Sequence, residues 1–540
     1  MAAHVDHDLA KLQVRVPESI KDLAILKNCV LYVSNDYAMD PRIIDFEMKM
    51  QRMGLIQRKQ CIPMAQLQVE KAGQKQEVKR EFEESSEIRK LFALLHQAVN
   101  MSASDVHMLV HPNHATIRMR VDGYLGDYAE LATQECMYLI RALYVASGVK
   151  NKNTFSFDRP IAARLSKHGD FKLPDELYAV RFASMKADDG GIVVLRLLYD
   201  SLSSRGKKQG NIDLVDLGFS EDQEKAVKSM ADAPNGMIVI VGPTGSGKST
   251  TLKFVMQWIH ENYPHFNILT VEDPPEYPIV GSTQIPVSVQ EDDTENVGSR
   301  GKEYGSIIAT TLRLDPDILM VGEIRDGYSA IAGLRAAETG HRLWTTLHAN
   351  DAWESLNRLT DLLCEGGMRE PLPVLSNTQN LCGLMAQRLV PKLCTHCRKP
   401  LSGHLDVFPG VVMAELMSAI PDFDISKIFL RGDGCDYCVP HAQGDPEKQK
   451  ADQRHGILGR TVVAEIVRPD QTLLDIARRD GIPAARRYWL KARGGKLIAD
   501  AAIEKIVAGI LDPVVAREFI GPLITGSQVL SQMESGDVTI

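Results

Sequence analysis

The sequence predicts an α/β protein, a largely parallel sheet carrying a phosphate-binding loop, with further domains on either side. Three observations predict it. A phosphate-loop pattern stands between an apolar run and an amphipathic stretch. Three more apolar runs follow, each stopping at polar residues. Two C-x-x-C pairs then mark a separate region.

Residues 238–250 read Ile-Val-Ile-Val-Gly-Pro-Thr-Gly-Ser-Gly-Lys-Ser-Thr. Gly242, Gly247, Lys248 and Ser249 satisfy G-x-x-x-x-G-K-[ST]. The expected nucleotide loop is Gly242, Pro243, Thr244, Gly245, Ser246, Gly247, Lys248, Ser249 and Thr250. Glycines let backbone N–H groups close on phosphates. Lys248 supplies positive charge to the β and γ phosphates of ATP, and the Ser249 hydroxyl suits Mg²⁺. Met237 to Val241 reads as a buried strand. Leu252, Val255, Met256 and Ile259 fall at i, i+3, i+4 and i+7, an amphipathic helix whose N-terminus favours an anion.

The later runs are Ile268–Val271, Ile318–Val321 and Leu343–Leu347. They lead into Glu272-Asp273-Pro274-Pro275-Glu276, Gly322-Glu323-Ile324-Arg325-Asp326 and His348-Ala349-Asn350-Asp351. Short apolar runs bounded by breakers predict buried parallel strands. Ligands of open α/β sheets sit beyond the strands' carboxyl ends. The phosphate loop, Glu272, Glu323 and His348 should therefore share one edge. A carboxylate at Glu323 can polarise attacking water or hold a metal-bound water. Glu272 and Glu276 are further candidates, and the sequence leaves open which acid is the general base. Pairing with Arg325 or Arg313 is the structural alternative. His348 can sense a γ phosphate. His341, after Gly340, either caps the helix expected over Ser329–Glu338 or joins the site.

Cys394-Thr395-His396-Cys397 and Cys435-Asp436-Tyr437-Cys438 each form a knuckle that can hold one metal. Four thiolates from Cys394, Cys397, Cys435 and Cys438 predict a structural zinc site with no open position. Disulfides, redox dithiols and unrelated cysteines are the alternatives. A cytosolic chain disfavours disulfides, and no thioredoxin-like context surrounds either pair.

The 540 residues predict three or four domains, and 44% apolar residues are ordinary for globular cores. A net charge of −8 argues against a nucleic-acid-binding surface. The sequence has no apolar run of spanning length and no signal-peptide pattern at its start. It is expected to be cytoplasmic, reaching a membrane only through partners.

Together these strings resemble the type II/type IV secretion ATPase superfamily, the motors of pilus assembly and protein secretion. The acidic box is similar to Thr270–Glu276, the atypical Walker B segment to Leu312–Asp326 and the histidine box to Thr339–Ala352. Gly322 stands where the more usual Asp precedes the glutamate. Ser104-Asp105-Val106-His107 and Arg118–Gly123 resemble the family's PAS-like domain. Arg181 and Arg196 match arginines that, by resemblance, reach the γ phosphate when that domain closes. Guanidinium forks suit spreading phosphoryl charge; surface ion pairing is the alternative. Leu214–Phe219 resembles the lead-in beside the base pocket. Gln387–Cys394 and Gly459-Arg460-Thr461 with Glu465 resemble the metal-bearing region of assembly and secretion motors, which retraction motors typically lack. The polar stretch Val439–His455 is longer than the family's usual.

The resemblance implies a PAS-like domain (88–200), a hinge (201–210), a RecA-like P-loop core (211–385), a zinc-binding subdomain (386–470) and a helical C-terminal region (471–540), after an N-terminal module and charged linker (1–87). It implies a homo-hexameric ATP hydrolase, peripheral to the inner membrane. That motor acts on a polytopic platform protein and on pilin indirectly, to assemble a type IV pilus, the IVb kind included. A type II protein-secretion ATPase is the second reading. A nucleic-acid-translocating ring and a non-catalytic nucleotide-binding scaffold follow.

Overall fold

In the computed structural model the four apolar runs are neighbouring parallel strands. The structure describes residues 16–27, 30–52, 56, 58–68, 86–147, 155–166, 171–200, 213–287, 297–439 and 455–535. The expected hinge at 201–210, most of the charged linker and the insert after Val439 lie outside them.

Two compact units are present. The first includes β1 (Ala24–Lys27), β2 (Val30–Ser34) and β3 (Arg58–Ile62), with β2 antiparallel to β1 and parallel to β3. Helix Pro41–Arg52 makes the crossover. Its Ile43, Phe46 and Met50, spaced on one face, pack with Ile20, Leu31 and Val33.

An antiparallel sheet follows, built from β4 (Ala103–Val110), β5 (Ala115–Val121), β6 (Tyr124–Leu131), β7 (Ile161–Ser166), β8 (Leu177–Ala187) and β9 (Gly190–Tyr199). Its order is β6-β5-β4-β9-β8-β7. Alternation buries Ala115, Ile117, Met119 and Val121 of β5 and turns Arg118 and Arg120 to the other face. Register sets Asp105 opposite both Arg120 and Arg196, and Arg181 opposite Arg196.

The nucleotide sheet contains β10 (Gly236–Val241), β11 (Ile268–Glu272), β12 (Ser282–Pro286), β13 (Ile318–Val321), β14 (Arg342–Leu347) and β15 (Leu381–Leu393). A small ribbon, β16 (Lys399–Pro400) with β17 (Phe429–Leu430), precedes β18 (Ile457–Val467). The order is β12-β11-β13-β14-β10-β15-β18, parallel except for β18. Both faces of β10 are covered. Met237, Val239 and Val241 join one core; Ile238 and Ile240 join the other with Trp344. Leu252, Val255, Met256 and Ile259 of helix Lys248–Asn262 fill that second core, on the face their spacing predicts. The described residues contain no helix long and apolar enough to cross a membrane.

Candidate nucleotide site and four-cysteine centre

The loop after β10 takes a shape reserved for glycine. Gly242, Gly245 and Gly247 have φ of 150°, 79° and 88°. A Cβ on Gly242 would lie 2.4 Å from the Gln387 carbonyl oxygen, so the loop presses directly on β15. The Lys248 ammonium donates to the carbonyls of Gly242 (2.7 Å) and Pro243 (3.1 Å). Burial lowers its pKa, and the Glu323 charge opposes that shift. Ser246 Oγ is buried with no hydrogen-bond partner among the described residues, inside a loop shaped for anion oxygens.

Gln387 holds this loop from below. Its buried amide donates to the Ser246 carbonyl (2.8 Å) and accepts from the Thr251 hydroxyl (3.0 Å). Sequence reasoning noted Gln387 only inside a resembling string. Its role depends on β15 lying beside β10, with Val241 opposite Ala386, which no local pattern announces.

The strand ends deliver the acids to the same edge. Glu272 is 8% exposed and accepts from Thr270 Oγ1 (2.7 Å) and Gln284 Nε2 (2.9 Å). Burial raises its pKa against those hydrogen bonds. A cavity of about 30 Å³ between Ser249, Lys253, Glu272, Tyr277 and Gly322 has room for water. Glu323 Oε1 lies 3.3 Å from Arg325 Nε and 3.5 Å from His348 Nε2. Arg325 also reaches Asp273 Oδ2 at 2.9 Å, tying the acidic box to the Glu323 loop. The pairing of Glu323 with Arg325, the alternative weighed from sequence, is therefore present together with the histidine contact.

Arg181 sits at the acidic box, 3.2 Å from both Glu276 Oε1 and the Pro274 carbonyl. Arg196 is held instead by Asp105, Nε to Oδ1 at 2.9 Å. His341 takes its capping role. Its backbone N–H reaches the Ala336 carbonyl at 3.1 Å, beside the positive-φ Gly340, and Nδ1 contacts that carbonyl at 3.2 Å. The helix it caps runs Gly327–Glu338 and starts two residues before the expected Ser329. Asp326 caps its other end, accepting from Ser329 N at 2.8 Å.

The two cysteine knuckles meet. Cys394 Sγ lies 3.7 Å from Cys435 Sγ, and Cys438 Sγ lies 3.8 Å from Cys397 Sγ and 3.7 Å from Cys435 Sγ. Four thiolates around one ion at ~2.3 Å have edges of about 3.8 Å, so the set fits a single tetrahedral metal. The long gap between the pairs is a folded insertion. Helix Gly410–Ala419 sends Val412 and Leu416 into a core with Leu401 and Ile428.

The type II/IV secretion system protein family matches residues 81–518. The chain belongs to that family. It is 35% identical over 315 residues to type II secretion system protein E of Dickeya dadantii, covering 58% of this chain and 56% of that one. It is 31% identical over 437 residues to type II secretion system ATPase E of Vibrio cholerae, covering 80% and 75%. The chain thus spans under two thirds of the length of several curated relatives. The pilus retraction motor PilT with bound ADP shares the fold at TM-score 0.50 and 21% identity, covering 79% of this chain and 96% of PilT. The motif resemblance and the α/β class with a P-loop core both stand. Of the first two functional readings, the relatives' names favour the second, type II secretion, over pilus assembly.

Proposed function

We propose that this chain is a hexameric, cytoplasmic P-loop motor that hydrolyses ATP to drive a type II secretion system. The observation that carries the reading is convergence. The Gly242–Thr250 loop, Glu272, Glu323 and His348 leave adjacent parallel strands at one edge. Lys248 and the loop amides bind the phosphates. The Ser249 hydroxyl would hold Mg²⁺, which when bound would neutralise phosphate charge. Glu323 and Glu272 are the two carboxylates able to position the attacking water, and His348 reads the γ phosphate through Glu323. Arg181 and Arg196 supply charge when the β4–β9 sheet closes. The resting pairs with Glu276 and Asp105 keep both guanidiniums engaged until then. The domain limits given above, a zinc ion on the four cysteines, recruitment to the inner face of the inner membrane and action on a polytopic platform protein complete the proposal.

Turnover tests the chemistry: Lys248→Ala and Glu323→Gln should each abolish hydrolysis, and wild-type rates in both remove the site assignment. A chromosomal Lys248→Ala allele tests the biology. Failed export of a folded protein with normal surface fibres supports type II secretion. Loss of fibres restores the pilus-assembly reading, in which pilin is moved indirectly. Longer or more numerous fibres mean a retraction motor.

A further inference from the structure

The hairpin joining β5 and β6 is docked on the carboxyl-terminal part of the chain. Gly123, at φ 96°, presents its bare Cα to Phe519; a Cβ there would lie 3.1 Å from the Phe519 ring. The Tyr124 ring meets Phe519 edge-on at 5.7 Å between centroids. The Arg431 guanidinium lies 5.1 Å from the centre of the Tyr124 ring. Such contacts are attractive through the ring quadrupole.

Both Phe519 and Arg431 hang from the four-cysteine region. Arg431 precedes Gly432, where a Cβ would sit 2.0 Å from the Cys397 carbonyl oxygen. Arg431 Nε donates to the His455 carbonyl (2.6 Å), and Cys394 N–H donates to the neighbouring Gly456 carbonyl (2.8 Å). The Arg431 N–H donates to Asp512 Oδ2 at 2.6 Å. Asp512 also caps helix Pro513–Ile520, which carries Phe519, accepting from Val514 N at 2.7 Å. Leu393, beside Cys394, bonds the Ile510 carbonyl at 2.9 Å.

Inward from the hairpin a polar chain continues. The Gly123 carbonyl accepts from Arg120 Nη1 at 2.9 Å. Arg120 Nε stands 4.0 Å from Asp105 Oδ2, and Asp105 Oδ1 holds Arg196 Nε at 2.9 Å. Asp105 is 6% exposed, so its two charged partners are held by a nearly dry carboxylate.

We infer that the four-cysteine region is the intrachain docking site of the β5–β6 hairpin and, through Arg120 and Asp105, sets the position of Arg196. Tyr124, Phe519, Arg120 and Asp105 are positioning residues. Metal on the cysteines fixes the pad. The pad fixes the hairpin, and the hairpin fixes the arginine. The docking half stands on its own contacts; the catalytic half rests on the proposed role of Arg196.

Hydrogen exchange of the full-length protein without nucleotide, followed by mass spectrometry, reads docking directly. An aromatic pair and a cation–π contact together shift such an equilibrium by roughly ten- to a hundredfold. Peptides over residues 122–131 should exchange faster by up to about tenfold in Phe519→Ala, which loses the ring pair alone. Tyr124→Leu, which changes only the hairpin side and loses both contacts, should reach the full ten- to hundredfold factor, and Phe519→Tyr should stay near wild type. Protein stripped by a chelator, or carrying Cys394→Ser and Cys435→Ser, should show the same acceleration. ATP turnover in Tyr124→Leu should fall in kcat with little change in KM. Wild-type hairpin exchange in both ring variants overturns the docking. Unchanged exchange after metal removal overturns the metal's part. Faster exchange with unchanged kcat overturns the link to Arg196. If Arg196→Ala itself keeps full turnover, the proposed role of Arg196 fails while the docking stands.

Discussion

Glu465 offers a sharp test of the packing between β18 and the C-terminal helices. It lies opposite Ala386, is 2% exposed, and its Oε1 has no hydrogen-bond partner among the described residues. Burial first, and then the negative charge of Asp351, pushes its carboxyl up to about 8 from an ordinary 4.5, with Arg486 opposing. Folding therefore favours the protonated form. That contribution is fully present below pH 4.5 and is lost as pH rises to about 8. Each pH unit in that window costs about 1.4 kcal/mol, so the loss over the 2.5 units from pH 4.5 to 7 is at most about 3.5 kcal/mol. Glu465→Gln keeps the shape and removes the titration. Trp353 and Trp489, with ring centroids 5.7 Å apart, share a core beside it and report unfolding by fluorescence. The assay is the urea midpoint of that signal across pH, because a chain of several domains need not unfold in one step. Near pH 5 the variant should match or fall slightly below the wild type. By pH 8.5 it should be the more stable protein. Midpoints that differ by a constant amount at every pH would refute the reasoning.

Other outcomes follow from the same geometry. Gly242→Ala drives a Cβ against the Gln387 carbonyl oxygen and Ser246 Oγ, at 2.4 and 2.6 Å. Strain of ~1–3 kcal/mol should weaken binding of a fluorescent ATP analogue about tenfold or more, with thermal stability much less affected. Gln387→Leu leaves the Ser246 carbonyl and the Thr251 hydroxyl without their buried partner. It should cost ~1–3 kcal/mol, read as a lower unfolding midpoint, and slow nucleotide turnover. Lys505 is buried, its pKa pushed down to about 8, and it donates to Thr461 Oγ1 at 3.0 Å and to the Gly218 carbonyl beside the expected base pocket. Here folding favours the neutral amine, so the cost of burial grows as pH falls from 10.5 to about 8 and is constant below. Lys505→Met should lose that alkaline dependence in the same urea titration. Replacing Cys394 and Cys435 by Ser should lower metal content per chain, measured by atomic absorption.

Local pattern made much of this protein legible. The phosphate loop, its strand and its helix were readable because backbone demands and one-sided burial write themselves into consecutive residues. Val241, Val321 and Leu347 end their strands where the apolar runs stop, since a strand buried on both faces leaves its charged residues to the ends. The cysteine knuckles were readable for the same reason: each is a short-range motif. Partner choice was not readable. That Cys394 meets Cys435 across a folded insertion, that Gln387 lies under the phosphate loop, and that Asp105 holds Arg196 while Arg181 finds Glu276 all depend on strand order and register. So does the burial of Glu465, which as a lone acid on an apolar strand gives no sign of what faces it. The sequence by itself determined the elements, the nucleotide loop and the set of thiolates. Only the tertiary structure decided which distant groups share one low-dielectric space, because that choice is made by packing between elements and not within any of them.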